Sequence, residues 1–155
     1  MKFEIKKFNE LSILELYAIL RLRVEIFVVE QDCPYQDLDN KDQSAYHLIV
    51  KDNNEIVGVL RIIPEGVSYK EMAIGRLVVK ESHRGQGIAL KMMKKAINFI
   101  VNDLNKSKIR LSGQAYLIDF YQNLGFKRVS EVYLEDGIDH YEFLYEKFKL
   151  LYKYK

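Results

Sequence analysis

The residues best placed to do chemistry in this 155-residue chain form one short run, Arg84-Gly85-Gln86-Gly87-Ile88-Ala89. It follows the apolar run Ile74-Gly75-Arg76-Leu77-Val78-Val79, which reads as a buried strand. It precedes a periodic segment from Ile88 to Leu104, which reads as a helix. A strand feeding a glycine-rich turn that opens a helix aims several unpaired backbone N–H groups at one point. The helix macrodipole adds partial positive charge there, so the geometry suits a phosphate or diphosphate. A dinucleotide fingerprint would need glycine where Leu90 stands, and the glycine spacing and Lys-Ser/Thr pair of a P-loop are missing. Cys33 is the single cysteine, so the sequence excludes an internal disulfide and a thiolate metal cluster. No histidine pairs with Cys33 as a nucleophile's base would, and no His/Cys/carboxylate set has metal-ligand spacing. No metal is expected.

The elements that must position this turn are legible from periodicity and punctuation. Phe3 and Ile5 between charged neighbours suggest a first strand. Ser12 and Glu15 have the spacing of a capping box, and Leu16, Ile19, Leu20, Val24 and Phe27 then share one face of a helix to about Val28. Residues 31 to 44 carry Pro34 and Asp32, Asp37, Asp39, Asn40 and Asp42. They read as a long loop whose acidity favours a cationic amine partner or is simply solvated. Two strand-like runs, 46 to 51 and 55 to 63, flank the turn Asp52-Asn53-Asn54, and the strand ending at Val79 follows as the next antiparallel partner. Beyond the long helix come a short strand from Ile109 to Gly113 and a short helix from Tyr116 to Asn123, stopped by Gly125. Two last strands, 126 to 133 and 141 to 145, surround Glu135-Asp136-Gly137. The expected architecture is α/β, a mixed, mostly antiparallel sheet of six to seven strands with about four helices, in one domain over residues 1–155.

Composition limits the partners. With 24 basic and 22 acidic residues the formal net charge is +2, too small to argue for nucleic acid or an anionic membrane. No apolar run approaches the ~20 residues that span a bilayer, and the amino-terminal residues lack a signal-peptide core, so a cytoplasmic protein is expected. The basic, aromatic tail from Lys147 to Lys155 reads as a frayed or edge-packed end rather than a nucleic-acid arm.

Arg84-x-x-Gly87-x-Ala89 resembles the Q/R-x-x-G-x-G/A signature of the GNAT N-acetyltransferase superfamily. The run Gln114-Ala115-Tyr116-Leu117-Ile118-Asp119-Phe120-Tyr121-Gln122-Asn123-Leu124-Gly125-Phe126 resembles the superfamily's second signature, with Gln114 where Asn is commoner. Three further stretches are similar to ElaA-type acyltransferases: Leu22 to Gln31 with Cys33-Pro34-Tyr35, Gly113 to Leu117, and Tyr133 to His140, where Asp139 replaces the usual proline. The resemblance spans residues 3 to about 146.

It implies an acyltransferase that moves an acetyl group from acetyl-CoA to a primary amine, on a small molecule or a peptide, by direct transfer in a ternary complex. The amides of Arg84, Gly85, Gln86, Gly87, Ile88 and Ala89 would hold the coenzyme A diphosphate, with Gln114 and Tyr121 also at the cofactor. Backbone N–H groups of Leu77, Val78 and Val79 would receive the oxyanion. The strands ending near Val79 and Gly113 would splay to admit the pantetheine arm. Tyr121 would protonate the departing thiolate, although Tyr116 and Phe120 beside it also fit plain aromatic packing. An amine with a pKa near ~10.4 must lose a proton before attack. Glu30, Glu135 and His140 are the candidate bases, with His140 and Glu30 ahead. Lys91, Lys94 and Lys95 fit either phosphate contacts or a solvated helix face. A non-catalytic coenzyme-A-binding module is the alternative of a different class. The sequence leaves the oligomeric state open, a homodimer included.

Overall fold

In the computed structural model, which describes residues 1–148, the chain runs β1 (Lys2–Lys7), α1 (Ile13–Val24), β2 (Tyr46–Asp52), β3 (Glu55–Ile63), β4 (Met72–Val79), α2 (Ile88–Asn98), β5 (Lys108–Gln114), α3 (Ile118–Asn123), β6 (Lys127–Arg128), β7 (Tyr133–Glu135) and β8 (Ile138–Glu146). One sheet takes the order β1-β2-β3-β4-β5-β8-β6, with β7 also on β8. Every pairing is antiparallel except β4 with β5.

Local chemistry accounts for the element ends. Ser12 Oγ accepts from the Glu15 amide at 3.0 Å and Glu15 Oε1 accepts from the Ser12 amide at 2.9 Å, closing the expected capping box. Lys51 and Lys6 both reach the Glu15 carboxylate at 2.9 Å. The Lys51 contact, together with the Ser12 amide, holds that carboxyl down at about 2. Asn53 and Asn54 both take positive φ, 49° and 68°, as a two-residue hairpin with the right-handed strand twist requires. At the end of α3, Gly125 sits at φ 98°; its amide donates to Gln122 and that of Phe126 donates to Tyr121, a Schellman cap.

The two sheet faces bury different helices. Met92, Met93, Ala96 of α2 and Ile100 just beyond it pack on Leu48, Leu60, Ile62 and Ile74, and Ile19, Leu22 and Ile26 cover Ile49, Val59 and Val78 on the other face. Among the described residues no helix is long and apolar enough to cross a membrane.

Three expectations need correction. The helices expected to run evenly to Val28 and Leu104 instead widen after Val24 and Asn98 into i→i+5 turns, with Gln31 donating to Ile26 at 3.2 Å and Leu104 to Phe99 at 2.9 Å. The strand expected over 126 to 133 is split into β6 and β7, both pairing with β8, so the sheet has eight strands rather than six to seven. The described residues form three α-helices rather than about four. The tail from residue 149 lies outside the described residues, so the expectation for 147 to 155 stays with the sequence.

Candidate active site

The sheet opens at its centre. Strands β4 and β5 pair only through Met72–Ile109 and Ala73–Arg110, then diverge. From Ile74 to Val79 the edge of β4 that faces β5 therefore has no strand partner, and its backbone groups border a cleft of about 540 Å³. That volume falls in the range of small-molecule sites. A bulge shapes the same strand from its β3 side: Arg61 opposes Gly75 and Val59 opposes Val78, so Arg76 and Leu77 drop out of the β3 register. Arg76 takes φ 52°, unusual for a residue with a Cβ, which marks a locally strained position in the cleft wall.

Most of the expected site residues meet here. Leu77, Val78, Val79, Arg84, Gln114, Tyr121, His140 and Glu30 all line this cleft. Gly85 to Ala89 do not; the turn opens to solvent beside Arg84, with Gly85 and Gly87 at φ 78° and 74°. Nothing lies within 4 Å of where a Cβ would stand on either glycine, so backbone conformation, not space, is what demands glycine. Gly87 caps α2 without a side-chain acceptor, which leaves the helix's first amides free for an anion.

Tyr121 is held among Phe120, Phe126 and Phe143 at ring-centroid distances of 5.2, 6.1 and 4.9 Å. The ring rests on Gly113, where any Cβ would lie 2.5 Å from Tyr121 Cε2. Burial pushes the phenol up to about 12, so it carries its proton at neutral pH. Among the described residues its hydroxyl has no side-chain hydrogen bond, so the proton is uncommitted.

His140 is buried opposite Gln114 across the β5–β8 ladder. Its Nδ1 lies 2.7 Å from the Ile138 carbonyl, which can only accept, so Nδ1 carries a hydrogen and Nε2 is the basic atom of the neutral ring. Glu135 Oε2 is 3.2 Å from that Nε2, and Tyr133 stacks on the ring. Ser112 Oγ joins the group, donating to Glu135 at 3.3 Å and lying 2.5 Å from the Tyr133 hydroxyl.

Two carboxylate expectations change character. Glu30 faces Arg84 in a bidentate pair at 2.5 and 2.9 Å, and Arg84 also donates to the Val79 carbonyl. Hydrogen bonding from Arg84 lowers the Glu30 pKa and keeps the group a carboxylate, which suits it to orienting Arg84 and disfavours it as a base. The acidic loop is not a free negative surface. Asp37 binds Arg23 at 3.0 Å and Arg76 at 2.9 Å, Asp42 binds Arg23 at 2.8 Å and Arg61 at 3.0 Å, and Asp39 binds Arg61 at 2.7 Å. Three arginines balance three of the loop's four aspartates, all but Asp32, so most of the negative charge its composition suggests is already paired. Lys91 and Lys95 lie over the Phe3 ring at 5.0 and 5.4 Å, committed there rather than to the turn. Arg76 and Ser112 were missed by sequence reasoning. Nothing local marks Ser112, and Arg76 sits in an ordinary strand run whose bulge only the β3 pairing creates.

Fold and cleft define a class. Residues 19–147 match the acetyltransferase (GNAT) domain, and the chain belongs to this acyltransferase family. Protein ElaA of Escherichia coli K12 is 40% identical over 134 residues, covering 85% of this chain and 88% of ElaA. The structure superposes on an acyl-CoA N-acyltransferase from Pseudomonas aeruginosa with a TM-score of 0.89 at 34% identity. It superposes on the crystal structure of E. coli ElaA with a TM-score of 0.88 at 37% identity. Each match covers 94% of this chain and 99% of the other.

Proposed function

We propose that the protein transfers an acetyl group from acetyl-CoA to a primary amine, directly, within a ternary complex. The observation that carries this reading is the splay of β4 from β5, with Tyr121 on the cleft wall and the free amino end of α2 outside it. In this reading the amides of Gly85 to Ala89 hold the diphosphate, Arg84 is aimed by Glu30, and the pantetheine arm enters the cleft beside Gln114. Amides on the β5-facing edge of β4, among Leu77 to Val79, stabilise the oxyanion. The amine nitrogen attacks the thioester carbon and the C–S bond breaks. Tyr121 gives its proton to the thiolate, while His140 Nε2 takes the proton the amine loses, its new charge balanced by Glu135. The family match and the neighbouring N-acyltransferase support the transfer class; the acetyl donor and the amine acceptor are our inference from this cleft.

Calorimetric titration with acetyl-CoA tests the donor: saturable binding is expected, and Gly87→Trp should abolish it by forcing a bulky side chain into the left-handed turn. A thiol-release screen over diamines, amino acids, peptide amino termini and lysine side chains tests the acceptor. Absence of saturable binding removes the reading. Binding without thiol release on any amine points instead to a coenzyme-A-binding module.

A further inference from the structure

The loop of residues 31 to 44 and the cleft edge of β4 meet at one side chain, Arg76. Its guanidinium lies 2.9 Å from Asp37 Oδ1, donates to the Asp37 carbonyl at 3.1 Å and reaches Asp39 at 3.3 Å. It also sits over the Tyr35 ring, 5.5 Å from its centroid, and the Tyr35 hydroxyl donates to Asp37 at 2.8 Å. Asp37 is nearly fully buried and fixed from behind by Arg23, so the anchor is rigid. The residues just before it, Cys33 and Tyr35, line the cleft, and Cys33 Sγ contacts the Asp136 carbonyl on the turn that carries Glu135. Arg76 is also the bulge residue at φ 52°, adjacent to Leu77. One side chain thus ties the wall around Cys33 and Tyr35 to the strand edge bearing the proposed oxyanion amides.

We propose that Arg76 is a positioning residue: it clamps the loop of Cys33 and Tyr35 against the bulge of β4 and so sets the shape of the acceptor side of the cleft. Assigning this wall to the acceptor rests on the transferase reading above; the clamp itself does not. Arg76→Gly removes the guanidinium while keeping a residue that adopts positive φ freely, so the bulge survives and only the clamp is lost. Cys33 is the one cysteine, which makes it a native reporter of the loop.

The experiment is the rate of Cys33 labelling by an aromatic disulfide reagent in cofactor-free protein, far below the melting temperature. Arg76→Gly should label about tenfold faster, the opening permitted by losing a charged hydrogen bond. Asp37→Asn should act alike, and the double variant should label no faster than the faster single one, because both break one clamp. Arg76→Lys, which keeps the charge without the fork, should fall between wild type and Arg76→Gly. A wild-type labelling rate in Arg76→Gly overturns the proposal. So do multiplying effects in the double variant, or labelling that follows global unfolding measured by hydrogen exchange on the same samples. Failure of the transferase reading would show separately, as absent acetyl-CoA binding.

Discussion

Gly113→Ala is the sharpest test of how the cleft holds Tyr121. The added methyl would stand 2.5 Å from Tyr121 Cε2 and 3.1 Å from Phe143 Cε2. Carbon atoms rest at about 3.5–4.0 Å, so the tyrosine ring must retreat by roughly 1 Å. It has nowhere easy to go, since Phe120, Phe126 and Phe143 already pack against it. Overpacking of this kind costs about 1–3 kcal/mol, offset by about 0.4–1 kcal/mol because alanine restricts the unfolded chain. For a domain of this length the melting temperature should fall by roughly 2–8 °C. A shift of about 1 Å in a reacting group costs on the order of 100-fold in rate, so thiol release should fall further than stability does. Gly75→Ala is the control, because nothing lies within 4 Å of its added methyl; its stability should stay within about 0.5 kcal/mol of wild type. Thermal melts of both variants and thiol release by Gly113→Ala provide the readout. Equal melting temperatures for the two, with undiminished turnover in Gly113→Ala, would refute the claim that Gly113 exists to seat Tyr121.

Tyr121→Phe should lower turnover by about 10²–10⁴-fold with coenzyme A affinity unchanged, measured by single-turnover kinetics and calorimetry; unaltered turnover removes Tyr121 from the proton transfer. The same variant has a pH signature. Burial raises the phenol from 10.0 to about 12, so the stability carried by its neutral form is whole below pH 10 and is lost as pH rises towards 12; Tyr121→Phe should flatten that alkaline limb in a melting profile. Arg23→Ala should destabilise by about 3–5 kcal/mol, since Arg23 is 1% exposed and its loss strips buried Asp37 and Asp42 of a shared cation. Urea unfolding checks this, and a loss under about 1 kcal/mol would mean the three-arginine network is dispensable.

What the sequence determined by itself was what short-range chemistry determines. The capping box at Ser12 and Glu15, the Asn53-Asn54 hairpin and the Gly125-Phe126 cap involve residues within a few positions of one another, and each follows from backbone geometry. The turn from Arg84 to Ala89 belongs with them, because two glycines at positive φ before a helix are a local demand. The family was readable for the same reason, its signatures being contiguous runs. Tertiary structure alone decided what those parts do to one another. Glu30 and Arg84 are 54 residues apart, yet they meet in a bidentate pair that lowers the Glu30 pKa. The acidic loop reads as favouring a cationic amine partner or as a solvated stretch; Arg23, Arg61 and Arg76, from three other elements, pair with its Asp37, Asp39 and Asp42 instead. The bulge at Arg76 and the parting of β4 from β5 depend on how neighbouring strands register, and register is fixed by the packing of whole faces. Charge and conformation at a site are sums over everything folded around it, and that sum is not written in any one stretch of chain.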